Sequence, residues 1–334
     1  MDDLRLNISK SRFMMKKLYK IGGLAAATIF SLCECAADST PRIGGTPTQE
    51  VHYQAPTIPD GISFCGERVD LTNYYLRERF DRELLSFSYW HSQVFLLIKR
   101  ANKFFPIIEP ILKANGVPDD FKYLALIESN LDQRAQSPAK AVGIWQILPG
   151  TGKDAGLVIN DDVDERYNVE KATKVACSML KHTHDASGSW TLAAAAYNTG
   201  HARVMRQIDT QQTNNYFDML FSEETNRYVF RIIMAKYLME DPQRMGFYLT
   251  KEDLYYPVES EVVKVDSTIN NLTDFAKERG INYQLLKDAN PWLRSNKLPN
   301  KEGKEFFIKI PKKEALEFNP QKGKVHQANW VTNP

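Results

Sequence analysis

The residue best suited to acid–base chemistry is Glu128. It closes the run Tyr123-Leu124-Ala125-Leu126-Ile127, which is apolar on nearly every side of a helix. A carboxylic acid can give a proton to a departing oxygen near neutral pH only while it stays protonated, and apolar burial keeps it so by disfavouring the charged form. The rival reading is a helix-end glutamate standing in water. No second catalytic carboxylate is chosen: Asp161, Asp162, Asp164 and Glu165 read as a solvated acidic loop, partly neutralised by Arg166. His182-Thr183-His184 lacks a Cys or third His at ligand spacing, so it reads as a surface helix end and no metal is expected. No Gly-rich phosphate cradle is present in the sequence.

The elements that must carry Glu128 are helical. From Glu78 to Asn115 apolar residues recur at helical spacing, without strand-like alternation. Pro118-Asp119-Asp120 supplies a turn and an acidic helix start ahead of the run that ends at Glu128. Further helices are expected over Asn168 to His182, Trp190 to Asn198, His201 to Gln207 and Thr225 to Glu240. Trp145 and Trp190 read as core aromatics, Ala193 to Ala196 as a close helix contact, and Gly143 and Gly200 as turn glycines. The pattern changes after Pro257. Val262 to Val265 and Phe306 to Ile310 read as strands flanking two short helices, Leu272 to Arg279 and Gln284 to Asn290. The expected class is mainly α: a helical domain over 62–250, a small β-α-α-β module over 258–312, and a frayed polar tail over 313–334.

Glu128-Ser129, Ser137, the segment Gly143-Ile144-Trp145-Gln146-Ile147-Leu148-Pro149, the segment Ala196-Tyr197-Asn198-Thr199-Gly200 and the segment Glu224-Thr225-Asn226-Arg227-Tyr228-Val229 follow one another in order. This set resembles the lysozyme-like catalytic domain of lytic murein transglycosylases, related to the soluble type and to goose-type lysozyme. The match is nearest to the membrane-bound lytic murein transglycosylase D group. The resemblance covers roughly residues 100 to 240 and implies that Glu128 is the single acid and then base. It further implies that Ser137 bonds the substrate N-acetyl or bridging region and that Gln146 contacts sugar polar groups. Tyr197 and Asn198 would lie across the site, with the Tyr197 hydroxyl orienting the acid or the sugar, and Glu224 would help hold the cleft, with Glu223 as a one-residue alternative. Ser137 has a bland alternative as a turn residue before Pro138. Hydrolases of glycosides ordinarily need two carboxylates, whereas a transglycosylase dispenses with the second. The implied reaction cleaves the N-acetylmuramic acid to N-acetylglucosamine linkage of peptidoglycan glycan strands, leaves 1,6-anhydro ends, and needs no cofactor. A water-using muramidase and an inactive wall-binding protein are the alternatives.

Residues 262 to 311 resemble a LysM module, which binds glycans containing N-acetylglucosamine. Two departures stand out: Asp266-Ser267-Thr268 replaces the usual Gly-Asp-Thr turn, and Trp292 stands where a small polar residue is common. A purely structural cap is the competing reading.

The bulk properties agree with an exported wall enzyme. The 334 residues, 43% hydrophobic, suffice for one domain and a small module. With 43 basic and 41 acidic residues the net charge is +2, and no basic stripe marks a nucleic-acid partner. Lys16, Lys17 and Lys20 precede an apolar stretch from Ile21 to Leu32, then Cys35-Ala36-Ala37, which reads as a signal peptide over 1–37 with a start at Met14 or Met15. Acylation at Cys33 or Cys35 would tether the chain to a membrane, outer-membrane association included, but Leu32 and Glu34 are poor preceding residues for it. Residues 38–61, rich in Pro, Thr, Ser and Gly, read as a linker. Cys65 and Cys177 form one bridge or stay as two buried thiols. The expected setting is the periplasm, and the expected state is a monomer.

Overall fold

The computed structural model describes residues 55–332, so the export signal, most of the linker and the acylation question lie outside the described residues. Gln54–Pro334 forms one compact unit. The class is mainly α, as the apolar spacing implies. A short hairpin, β1 (Gly61–Phe64) and β2 (Glu67–Asp70), opens the described chain, turning at Cys65 and Gly66, which both take positive φ. Helix α1 (Tyr74–Tyr89) starts where the Asn73 side chain accepts the Tyr75 and Leu76 amides at 3.0 and 3.4 Å. Helix α2 (His91–Ala114) follows at once. The helical spacing from Glu78 to Asn115 is carried by these two helices, separated where Trp90 leaves helical geometry at φ −92°, ψ 48°.

Helix α3 (Lys122–Ser129) carries Glu128 and is short because Asn130 turns left-handed at φ 53° and stops it. Tyr123, Leu124, Ala125 and Leu126 are all buried, so α3 runs through the middle of the core. Around it lie α4 (Pro149–Asp154), α5 (Val169–Ser187), α6 (Trp190–Thr199), α7 (His201–Gln211) and α8 (Glu223–Glu240). Asn168, Ser189 and Ser222 cap α5, α6 and α8 with side-chain oxygens, and Gly188 ends α5 at φ 72°. Ala193 to Ala196 are buried where α6 packs between α5, α7 and α8, small side chains permitting the close approach. Helix α8 packs on both α3 and α1. Trp145 is fully buried, its indole donating to the Thr173 hydroxyl at 2.8 Å, and Trp190 stacks on His184 at 3.8 Å. Trp145 is thus a core aromatic, and Trp190 packs partly buried against the same core. His182 lies against His201 at 4.2 Å between ring centres. Cys65 and Cys177 are separate free thiols, and no bridge forms between them.

In the C-terminal part, β3 (Ser260–Val265) pairs antiparallel with β4 (Phe306–Pro311), Val263 facing Ile308. Helices α9 (Leu272–Glu278) and α10 (Tyr283–Ala289) lie between them in sequence and bury Leu272, Phe275, Ala276 and Leu286 in a second small core. Asn290 is fully buried and satisfied: its amide donates to the Leu286 and Lys309 carbonyls at 2.9 and 2.7 Å and its oxygen accepts the Lys309 amide at 2.8 Å. Trp292, the departure noted in the sequence, stacks on Phe306 at 5.7 Å between ring centres.

Two expectations are corrected. Asp164 and Glu165 do not sit in a solvated loop; both are buried, because the Arg166 guanidinium forks onto Asp164 and Glu165 holds Lys171 and the Val158 amide. Their backbone is also zipped to the module: the Asp164 amide donates to the Trp292 carbonyl at 2.9 Å, the Arg294 amide to the Asp162 carbonyl at 2.8 Å, and Val163 and Tyr167 join the second core. Nor is the polar tail frayed. It returns across the helical domain and inserts Trp330, 0% exposed, whose indole donates to the Met239 carbonyl at 2.7 Å. On the way the His326 amide meets the Asn102 side chain and its ring meets Glu109, both at 2.8 Å. Among the described residues no helix is long and apolar enough to cross a membrane.

Candidate active site

The site is assembled at the end of α3. Ser129 ties that end down: its hydroxyl donates to the Ile144 carbonyl at 2.8 Å, joining α3 to the turn through Gly143 and Gln146. That turn is held from two further sides. Arg166, itself buried, donates to the Lys140 and Ile147 carbonyls at 2.9 Å each, and the Tyr197 hydroxyl donates to the Trp145 carbonyl at 2.7 Å. Gly143 cannot carry a side chain here, because a Cβ would lie 2.5 Å from the Arg166 carbonyl oxygen and its φ is +76°.

Glu128 is partly buried, and loss of solvent is the largest influence on it, pushing its carboxyl from 4.5 up to about 7. The Tyr228 hydroxyl donates to Glu128 Oε1 and works the other way, favouring the carboxylate; the nearby charge of Glu224 raises the value again. Burial wins. The carboxyl is therefore protonated over most of the range below neutrality, yet close enough to its midpoint at pH 7 to act in both directions. Tyr228 and Tyr197 are both held well above the ordinary phenol range, by burial first and by the Glu128 charge second, so both remain donors.

Glu224 is exposed and sits opposite. It accepts the Asn198 amide at 3.3 Å, while the Asn198 oxygen accepts the Thr225 hydroxyl at 3.0 Å. Glu223 points elsewhere, in an ion pair with Arg82, so of the two neighbours Glu224 is the one that acts on Glu128. The structure thus brings Glu128, Tyr197, Asn198 and Glu224 together. Ser137 and Gln146 stand on the adjoining loop and do not bond the acid. The Ser137 side-chain oxygen accepts the Ala141 amide at 3.1 Å in a turn, and the Gln146 amide donates to the Gly143 carbonyl at 2.9 Å from a left-handed backbone of φ 46°.

One residue of the site was missed in the sequence. The hydroxyl that meets the acid belongs to Tyr228, whereas Tyr197 spends its own on the Trp145 carbonyl. A signal was present: Tyr228 lies four residues after Glu224, on the same face of α8. Tyr228→Phe removes the interaction that favours the carboxylate, so the Glu128 midpoint rises further. A step that needs the protonated acid fails as pH climbs through that midpoint, and the alkaline limb of kcat/KM should accordingly move to higher pH, by about one unit. A pH–rate profile of the variant with an unmoved limb would show that Tyr228 does not act on Glu128. Among the described residues no cluster of His, Cys, Asp and Glu could hold a metal ion.

Comparison with known proteins gives this geometry a class. Residues 105–220 match the family model of the transglycosylase SLT domain, and residues 261–314 match the soluble lytic transglycosylase C-terminal LysM-like domain. The chain therefore carries an SLT domain followed by a LysM-like domain. It is 28% identical over 267 residues to the membrane-bound lytic murein transglycosylase D of Escherichia coli, a match covering 77% of this chain and 57% of that protein. The chain thus spans little more than half the length of this curated relative. A putative tributyltin chloride resistance protein from Alteromonas is 29% identical over 133 residues, 39% of this chain and 64% of its own length. The 70 kDa soluble lytic transglycosylase of Escherichia coli aligns over 42% of this chain and 25% of its own, at 20% identity and a TM-score of 0.36.

Proposed function

We propose that this chain is a peptidoglycan lytic transglycosylase in which Glu128 is acid and then base. The observation that carries the reading is the Glu128 carboxyl itself, raised to about 7 by burial and met by a tyrosine hydroxyl. Glu128 donates its proton to the oxygen linking N-acetylmuramic acid to N-acetylglucosamine, and that bond breaks. The acetamido group of the muramyl residue supports the cation at C1. Glu128, now a carboxylate, takes the proton of the C6 hydroxyl as its oxygen attacks C1. The acid ends protonated, no water is consumed, and the product is a 1,6-anhydro-muramyl end.

The surrounding residues fit this use. Ser137 accepts a backbone amide and so keeps its hydroxyl proton to donate to an N-acetyl oxygen. Gln146 has its amide nitrogen tied to backbone and offers its oxygen to sugar hydroxyls. Tyr197 fixes the turn that carries Gln146, and Asn198 with Glu224 borders the cleft. Glu224 is spent on Asn198 and keeps the proton on Glu128 by repulsion, which is a supporting task and not that of a second catalytic carboxylate. The LysM-like module adds affinity for glycan. The chain works as an exported periplasmic monomer on peptidoglycan strands; the Escherichia coli protein it resembles is called a membrane-bound murein transglycosylase, and a membrane tether through Cys33 or Cys35 belongs to the same proposal.

Mass spectrometry of purified murein digested in water labelled with heavy oxygen tests the reaction. The expected muropeptides carry anhydro ends and no label. Labelled reducing ends would instead establish a muramidase.

A further inference from the structure

The second small core is not confined to the module. Val142, Val163 and Tyr167 of the helical domain are buried members of it, together with Leu293, Leu298 and Ile308 of the module. Val142 immediately precedes Gly143, so the module's core reaches the turn that carries Gln146. Within that turn Val142 and Ile147 exchange both backbone bonds at 3.2 Å, the Gly143 amide donates to the Ala135 carbonyl at 2.9 Å, and the Ser137 amide donates to the Ala141 carbonyl at 2.9 Å. Ser137 and Gln146 thus stand on one loop, residues 135–147. Lys140 at φ 62° and Gln146 at φ 46° hold left-handed backbone in it. Residues with a Cβ keep that conformation only where their surroundings enforce it.

The support behind the loop begins in the module. Val163 and Leu293 form an antiparallel bridge, flanked by the Asp164 amide on the Trp292 carbonyl and the Arg294 amide on the Asp162 carbonyl. Asp164 turns its carboxylate to Arg166, accepting Nε at 2.9 Å and Nη2 at 2.7 Å. Arg166 in turn gives Nη1 to the Lys140 and Ile147 carbonyls, on either side of the Gly143 turn. The bridge therefore fixes Asp164, Asp164 fixes the guanidinium, and the guanidinium fixes the loop. A planar fork transmits such placement well, because its bonds are directional at both ends. The joint is braced further by Arg294, 4.2 Å above the Tyr167 ring, and by the ion pairs of Lys309 with Glu170 and Arg134 with Asp288. We infer that the C-terminal module is a built-in part of the active site: it holds the loop that presents Ser137 and Gln146 to the sugar, with Arg166 as the positioning residue between them. The inference rests on the transglycosylase reading for the use of those two side chains, and it gives the module a task separate from glycan affinity.

Hydrogen exchange of the full chain tests the hold directly. Leu293→Ala loosens the joint from the module side and should speed exchange at Val142, Gly143, Gln146 and Ile147 about tenfold, while α8 keeps its parental protection. Leu293→Met, close in volume, should restore the parental rates. Arg294 is exposed, so Arg294→Ala leaves the fold intact; it should act in the same direction by about threefold, since the backbone bridge remains. Should Leu293→Ala also loosen α8, the Arg294→Ala chain carries the test. On the shortest murein fragment that the parent chain cleaves, Leu293→Ala should raise KM about tenfold, with kcat within about twofold and the Glu128 midpoint unmoved. A module that only gathered glycan would leave so short a substrate unaffected. Parental exchange over 142–147 in both alanine variants, or a loss of activity confined to long strands, overturns the inference. The two readings fail separately: a parent chain that cleaves no glycan refutes the role of Glu128, while the exchange rates still decide whether the module holds the loop.

Discussion

Glu128→Gln is expected to abolish measurable release of muropeptides, a fall of about three orders of magnitude, while the chain stays folded and still binds glycan. Glutamine keeps the shape and the oxygen that accepts from Tyr228 but carries no transferable proton. The same substitution should alter stability in a direction opposite to damage. In the unfolded chain a glutamate releases its proton near 4.5, whereas here the folded state holds it to about 7. Between those values the folded state binds the extra proton, so stability falls as pH rises and the deficit is complete above the folded midpoint. A shift of this size corresponds to a few kcal/mol at most, on the order of 3, and less to the extent that solvent reaches the group. Glu128→Gln removes that cost, so its melting temperature should equal that of the parent at pH 4 and exceed it at pH 8. A variant that is inactive and also less stable at pH 8 would show that the carboxyl is not held against its charge.

The second large effect lies far from the acid in sequence. Trp330→Ala should cost about 4 kcal/mol, the usual range for emptying a fully buried aromatic site, and lower the melting temperature by about 10 °C. The indole is enclosed, donates to the Met239 carbonyl, and meets the ring of Phe105 at 6.0 Å between centres. Phe105 in turn packs edge-on against Tyr123, in the helix that presents Glu128. The tail is therefore part of the support of the acid. Urea unfolding measures the change; a shift under 1 kcal/mol would mean that Trp330 is not buried in solution.

The sequence made Glu128 legible because its signal is local: five apolar residues precede an acid, and a helix needs only that run to carry it into a core. The β-α-α-β module was legible for the same reason, since its strands and helices are each marked by short-range patterns. Contacts made across long separations were not. Tyr228 meets Glu128 only because α8 packs against α3, and the two stand 100 positions apart in sequence. Asp164 and Glu165 look like a solvated run by composition, and their burial follows from Arg166 and from backbone bonds to Trp292 and Arg294, which no local pattern encodes. Trp292 was visible as a departure from the expected loop residue; its use in the joint with residues 162–164 was not. In the tail a lone tryptophan among polar residues was the available sign, and it was outweighed by its neighbours. Helical spacing also runs on through Trp90, where the backbone leaves helical geometry and separates α1 from α2.

All of the chemistry proposed for this chain depends on the ionisation of one side chain, which can be observed directly. Carbon-13 NMR of the full chain labelled at glutamate carboxyls, assigned by comparison with Glu128→Gln, gives the midpoint of that group. The resonance lost in the variant should titrate near 7. A midpoint near 4.5, the ordinary value for a glutamate in water, would contradict the account.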